Sequence, residues 1–120
     1  MPIIDACIVI PEGGAAPIGA AKTIANAIAA TLGAPPARVW VRLQLLPQGL
    51  YAENGDQEDP CPVFLSVLHA DLKPAEQLER EAANLAQAVG TCLGRPSELV
   101  HIEYTPAGRG RIAFGGHLVK

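Results

Sequence analysis

Apolar residues run almost without a break from Ile3 to Ile10, the pattern of a strand covered on both faces. After Pro17 the spacing changes. Ala21, Ile24, Ala25, Ile28 and Leu32 recur at helical intervals, and Gly33 stands where a helix C-terminus wants a cap. From Arg38 to Leu46 the period becomes two, with Val39, Val41, Leu43 and Leu45 on one face and Trp40, Arg42 and Gln44 on the other. The same order then recurs. Pro62 to His69 reads as a strand, and Pro74 opens a helix with Leu78, Ala82, Leu85, Val89 and Leu93 on one side. Gly94 caps that helix, and a strand over Leu99 to Thr105 closes the segment.

The recurrence is also literal. Pro2 and Pro62 each precede an apolar run. "LGAPPARVWVRLQ" from Leu32 aligns with "LGRPSELVHIEYT" from Leu93, matching Pro35 with Pro96, Val39 with Val100 and Val41 with Ile102. Such self-similarity marks two fused copies of one unit. The expected fold is α/β (α+β): one domain over residues 1–120, built from a β-α-β unit over 2–60 and a second over 61–120. Strands joined through a helix pair in parallel with a right-handed crossover. The two units then make a four-stranded sheet with both helices on one face. The other face, read as apolar through Ala6 and Ile8, is expected to be buried by further subunits in a closed homotrimer. The glycine-rich tail from Gly108 to Lys120 supplies a short strand or arm for such a contact.

Composition narrows the function. The 120 residues suffice for one core, 49% are hydrophobic, and the net charge is only −3. That excludes disorder and argues against a nucleic-acid or acidic-membrane binder. No stretch is long and apolar enough to span a bilayer. The first apolar run lacks a preceding basic region, so no signal peptide is expected and the cytoplasm is the expected location. Cys7, Cys61 and Cys92 are odd in number and form no CxxC pair, which reads as free thiols. His69, His101 and His117 are far apart, so metal-ligand spacing is missing, and no cofactor is expected.

The start "MPII", the segment "LGAPPARVWV" and the spacing P-x-x-x-Y-x-x-x-G at Pro47, Tyr51 and Gly55 resemble the tautomerase superfamily. The first 55 residues resemble a single 4-oxalocrotonate tautomerase unit. The full length resembles the trimeric members: macrophage migration inhibitory factor, cis-3-chloroacrylic acid dehalogenase and malonate semialdehyde decarboxylase. The end, "GRGRIAFGGHLV", looks most like the last of these.

The resemblance implies that Met1 is removed and that the amine of Pro2 is the catalytic general base or acid. An α-amino group titrates at about 7.7–8.0, and burial or nearby cations lower that value. Pro62 cannot serve, because its nitrogen is an amide. The implied activity is tautomerisation of a small carbonyl acid at a site shared between subunits. The alternatives are decarboxylation, hydration or dehalogenation of a three-carbon acid, and a non-catalytic trimeric interaction protein. "LHADLK" aligns with a segment carrying two arginines in the dehalogenase; here those positions are Ala70 and Lys73, and Trp40 replaces an arginine on the second strand. Lys73, Arg42 and Arg109 are the candidate cations for a substrate carboxylate or enolate. Tyr51 and Trp40 are candidate pocket walls, and His101 and Glu103 are candidate polar groups on the last strand.

Overall fold

The computed structural model describes residues 1–120. Its order is β1 (Ile3–Ile10), α1 (Ala20–Leu32), β2 (Trp40–Pro47), β3 (Val63–Leu68), α2 (Ala75–Leu93) and β4 (Val100–Tyr104), then a small hairpin of β5 (Ala113–Phe114) and β6 (His117–Leu118). The main sheet runs β2-β1-β3-β4. β1 pairs in parallel with β2, and β3 with β4, while β1 and β3 meet antiparallel at the centre. This mixed sheet with two helices is the expected α+β architecture.

The helix ends follow from local chemistry. Gly33 and Gly94 each cap a helix in the left-handed region at φ 66°, where a side chain would be strained, and their N–H groups return to carbonyls of the last turn. α1 starts three residues later than Pro17, because Gly19 at φ 74° breaks the chain's path before Ala20. The tail folds back on itself as the β5–β6 hairpin, and Phe114 stacks on Trp40 with ring centroids 4.5 Å apart.

The core lies between the sheet and the helices. Ile4, Ala6, Ile8, Val63, Leu65 and Val67 face Ile24, Ile28, Leu85 and Val89, all buried. Here the structure corrects the sequence reading. Ala6 and Ile8, expected on the uncovered face, point at the helices. Alternate residues of a strand face opposite ways, so Asp5 and Cys7 take the other side. β1 is therefore not covered on both faces: Asp5 is exposed and Cys7 half-buried. The register sets Asp5 beside Arg42 and Ser66, and Ser66 beside Glu103. It sets Cys7 beside Gln44 and Phe64, and Phe64 beside His101. The open face is thus mixed: Asp5, Arg42, Gln44, Ser66, His101 and Glu103 bring polar groups to its middle, among Phe64 and the apolar Ile3, Val9, Leu46 and Leu68.

Candidate active site

Pro2 sits just before β1, on a central strand with a neighbour on each side. Its carbonyl accepts the Trp40 N–H at 3.2 Å on the β2 side. On the β3 side, Ile3 is opposite Leu68, which brings His69 alongside Pro2. Pro2 is fully buried. A cavity of about 350 Å³ opens over it, with Leu32, Ala34 and Pro35 as an apolar wall, and Arg38, His69 and Lys73 as polar groups. Arg38 is placed by a tight turn in which Ala37 adopts φ 61°, a left-handed conformation that costs a non-glycine residue energy. Met1 also lines the cavity. Partial burial, then the Arg38 guanidinium, hold its α-amino group below the ordinary value.

Behind the cavity lies a buried carboxylate. Glu81 of α2 is 6% exposed. Its Oε2 is 2.8 Å from His69 Nε2 and accepts the Tyr104 hydroxyl proton at 2.7 Å, while its Oε1 accepts from Lys73 Nζ at 2.8 Å. Burial pushes the Glu81 pKa up, but the hydrogen bonds from Lys73, Tyr104 and His69 outweigh it, and the net shift is downward. The carboxyl is therefore ionised near neutral pH and only accepts hydrogen bonds. The same contact, with burial as the larger cause, pushes the Tyr104 phenol well above its usual range. The His69 ring also stacks on Tyr104, with centroids 5.9 Å apart.

The structure divides the sequence-predicted residues between separate places. Pro2 and Lys73 share the cavity. Arg42, His101 and Glu103 lie instead on the open sheet face, where the largest concavity, about 770 Å³, runs across the strands. There Arg42 makes a two-pronged pair with Asp5, at 2.6 and 2.8 Å. That concavity is a broad groove away from Pro2; the smaller cavity holds the convergent chemistry. Trp40 packs under Phe114. Tyr51 follows the far end of β2, near Phe64, and donates to Glu53, which pushes its pKa up to about 12. Arg109 pairs with Asp71 and with the Lys120 carbonyl.

Sequence reasoning missed Arg38, Glu81 and Tyr104, and left His69 without a partner. Only Glu81 carried a usable signal. It lies four residues before Leu85 on the apolar side of α2, where a lone carboxylate demands partners. No cluster of three His, Cys, Asp or Glu side chains is close enough to hold a metal ion. No helix is long and apolar enough to cross a membrane.

No protein-family model matches the sequence, and neither does any curated protein. Solved structures do match over nearly the whole chain. A fused 4-OT wild-type symmetric trimer superposes with a TM-score of 0.77 at 19% identity, covering 98% of this chain and 94% of its own. The macrophage migration inhibitory factor from Trichinella spiralis superposes at 0.71 and 15% identity, covering 97% and 98%. FG41 malonate semialdehyde decarboxylase inhibited by 3-bromopropiolate superposes at 0.68 and 19% identity, covering 94% and 90%. The chain has the tautomerase-superfamily fold.

Proposed function

We propose that this chain, once Met1 is removed, is a proline-dependent enzyme that tautomerises a small carbonyl acid. The observation that carries the reading is the cavity at Pro2. Its lining joins Pro2 to the apolar Leu32, Ala34 and Pro35 and to the cations Arg38 and Lys73. A substrate carboxylate pairs with these cations, Arg38 through its planar fork and Lys73 as a point charge. The Pro2 amine then moves a proton to or from the carbon beside the carbonyl. The surroundings that hold the Met1 amine below its ordinary value would act on a Pro2 amine in the same cavity. A value lowered toward neutrality lets the nitrogen both take and give a proton near neutral pH.

The three free cysteines fit a reducing compartment such as the cytoplasm. The assembly that fits the open sheet face and the unpaired edges of β2 and β4 is a homotrimer, as in the fused 4-OT structure. The test is ketonisation of phenylenolpyruvate by protein whose intact mass matches a chain starting at Pro2. Native protein is expected to exceed Pro2→Ala by at least about a hundredfold. Equal rates sink the reading.

A further inference from the structure

His69 belongs to the second β-α-β segment, yet it stands beside Pro2 and lines the same cavity. Its Nε2 is taken by Glu81. Because the ionised Glu81 only accepts, Nε2 must carry the hydrogen in the neutral ring. That fixes the tautomer and leaves Nδ1 with a free lone pair. Nδ1 makes no hydrogen bond within the chain, and no buried side-chain nitrogen or oxygen lacks a partner. Nδ1 is therefore not enclosed, and His69 lines the cavity over Pro2. Tyr104 holds the ring from its flat side and the carboxylate from behind.

We propose that His69 is the second proton-transfer group of the Pro2 site, working at substrate oxygen while Pro2 works at substrate carbon, with Glu81 as its positioning residue. The assignment rests on the proline reading above. For an enol substrate, Nδ1 takes the hydroxyl proton: the O–H bond breaks and an N–H bond forms. The electron pair of the C=C bond takes a proton from the Pro2 ammonium, forming a C–H bond. The product is the ketone, Pro2 is left neutral, and His69 is left as an imidazolium facing the Glu81 carboxylate. Solvent carries one proton from His69 back to Pro2, and nothing else is consumed. Enolisation is the same sequence reversed. This arrangement supplies what a lone amine lacks: a base for the oxygen at the moment the carbon is protonated.

The test uses the chain beginning at Pro2 and phenylenolpyruvate as the probe. His69→Gln keeps an N–H donor at the place of Nε2 and lacks any group equivalent to Nδ1. Its kcat is expected to fall about a hundredfold with KM within about threefold of wild type. Tyr104→Phe, which removes a donor to Glu81 but no proton-transfer group, should lower kcat less than His69→Gln does; an equal or larger loss would assign the effect to a disturbed network and overturn the assignment. Wild-type kcat in His69→Gln, with Pro2→Ala inactive, overturns the assignment and leaves the proline reading intact. A wild-type rate no greater than that of Pro2→Ala removes the proline reading instead.

Long-range nitrogen–proton NMR of the His69 ring gives a readout independent of turnover. The Nε2–H tautomer is expected in the resting protein, and a loss of that tautomer together with kcat in Glu81→Gln. An Nδ1–H tautomer in wild type overturns the proposal. A folded Glu81→Gln with wild-type tautomer and wild-type kcat removes Glu81 from it.

Discussion

Ala34 and Arg95 each follow a capping glycine, one after each main helix, and only Arg95 fills the space beside its proline. The Arg95 guanidinium donates to the Cys61 carbonyl at 2.8 Å and to the Pro62 carbonyl at 3.4 Å. Ala34 stops at a methyl group and leaves the cavity over Pro2 open. An arginine in place of Ala34 is therefore expected to close it. Ala34→Arg should lower kcat/KM for an enol probe at least about tenfold, with an unchanged circular dichroism spectrum. Conversely, Arg95→Ala takes the donor from the Cys61 carbonyl, while the Pro62 carbonyl keeps the Val9 N–H, and should lose about 1–3 kcal/mol in chemical denaturation.

Lys73 faces the cavity while Glu81 holds its ammonium. Its truncation removes a charge that attracts substrate but no group that moves a proton. Lys73→Ala should raise KM for a carboxylate-bearing probe about tenfold, or 1.4 kcal/mol, with kcat changed far less. The methyl ester of the same probe should respond little. A collapse of kcat at unchanged KM would assign Lys73 a different role.

Acid stability follows from Glu81. Its folded-state pKa lies below the ordinary value of 4.5. A depressed carboxyl pKa stabilises the fold above the unfolded value, and that contribution is lost as pH falls through the folded value. Between pH 7 and pH 5 this group should leave the denaturation midpoint unchanged; below about pH 4.5 it should pull it down. Glu81→Gln should be less stable than wild type at neutral pH, and the gap should narrow as the pH drops. A gap that widens in acid contradicts the network.

Alkaline titration gives a simple check on two hydrogen bonds. The chain has two tyrosines. Glu53 pushes Tyr51 up to about 12, and burial with Glu81 pushes Tyr104 higher still. At pH 10, where free tyrosine is about half ionised, the folded protein should show almost no tyrosinate absorbance. Unfolding at that pH should release both phenols.

Gly90 lies inside α2, where alanine is ordinarily preferred by about 1 kcal/mol. A Cβ there would come within 2.6 Å of the Arg95 carbonyl oxygen. Backbone cannot step aside as a side-chain tip can. Gly90→Ala should therefore destabilise by about 1–3 kcal/mol despite its better propensity. A stabilised variant in thermal denaturation would show that the turn after α2 moves freely.

The open face makes its own prediction. The exposed pair of Asp5 and Arg42 adds little to one isolated chain. Enclosed among three chains it could not be broken cheaply. For the proposed homotrimer, Asp5→Ala is expected to shift sedimentation toward monomer. A stable, folded wild-type monomer at micromolar concentration defeats the trimeric assembly.

The elements were legible wherever one local rule acted alone. The capping glycines at 33 and 94 fixed both helix ends, and the alternation over Val39 to Leu45 fixed the faces of β2. The apolar run of β1 misled, because Ile3, Cys7 and Val9 hide the fact that Asp5 marks a solvent-facing side. Of the residues lining the cavity, Pro2 and Lys73 had been singled out through resemblance. His69 and Glu81 were not linked, since their contact depends on how α2 crosses the sheet. Arg38 depended on the left-handed turn at Ala37, which no residue type announces.

Pro62 lies inside the chain, its nitrogen locked in a peptide bond, and Arg95 seals the space next to it. The second segment has no N-terminal amine of its own. It nevertheless contributes His69, Lys73, Glu81 and Tyr104 to the surroundings of Pro2. The two halves have thus divided the labour, one carrying the nitrogen and the other most of its polar support. On the proposed mechanism, a random-substitution library scored for turnover should then place many of its inactive yet folded variants after residue 60, far along the chain from the Pro2 amine.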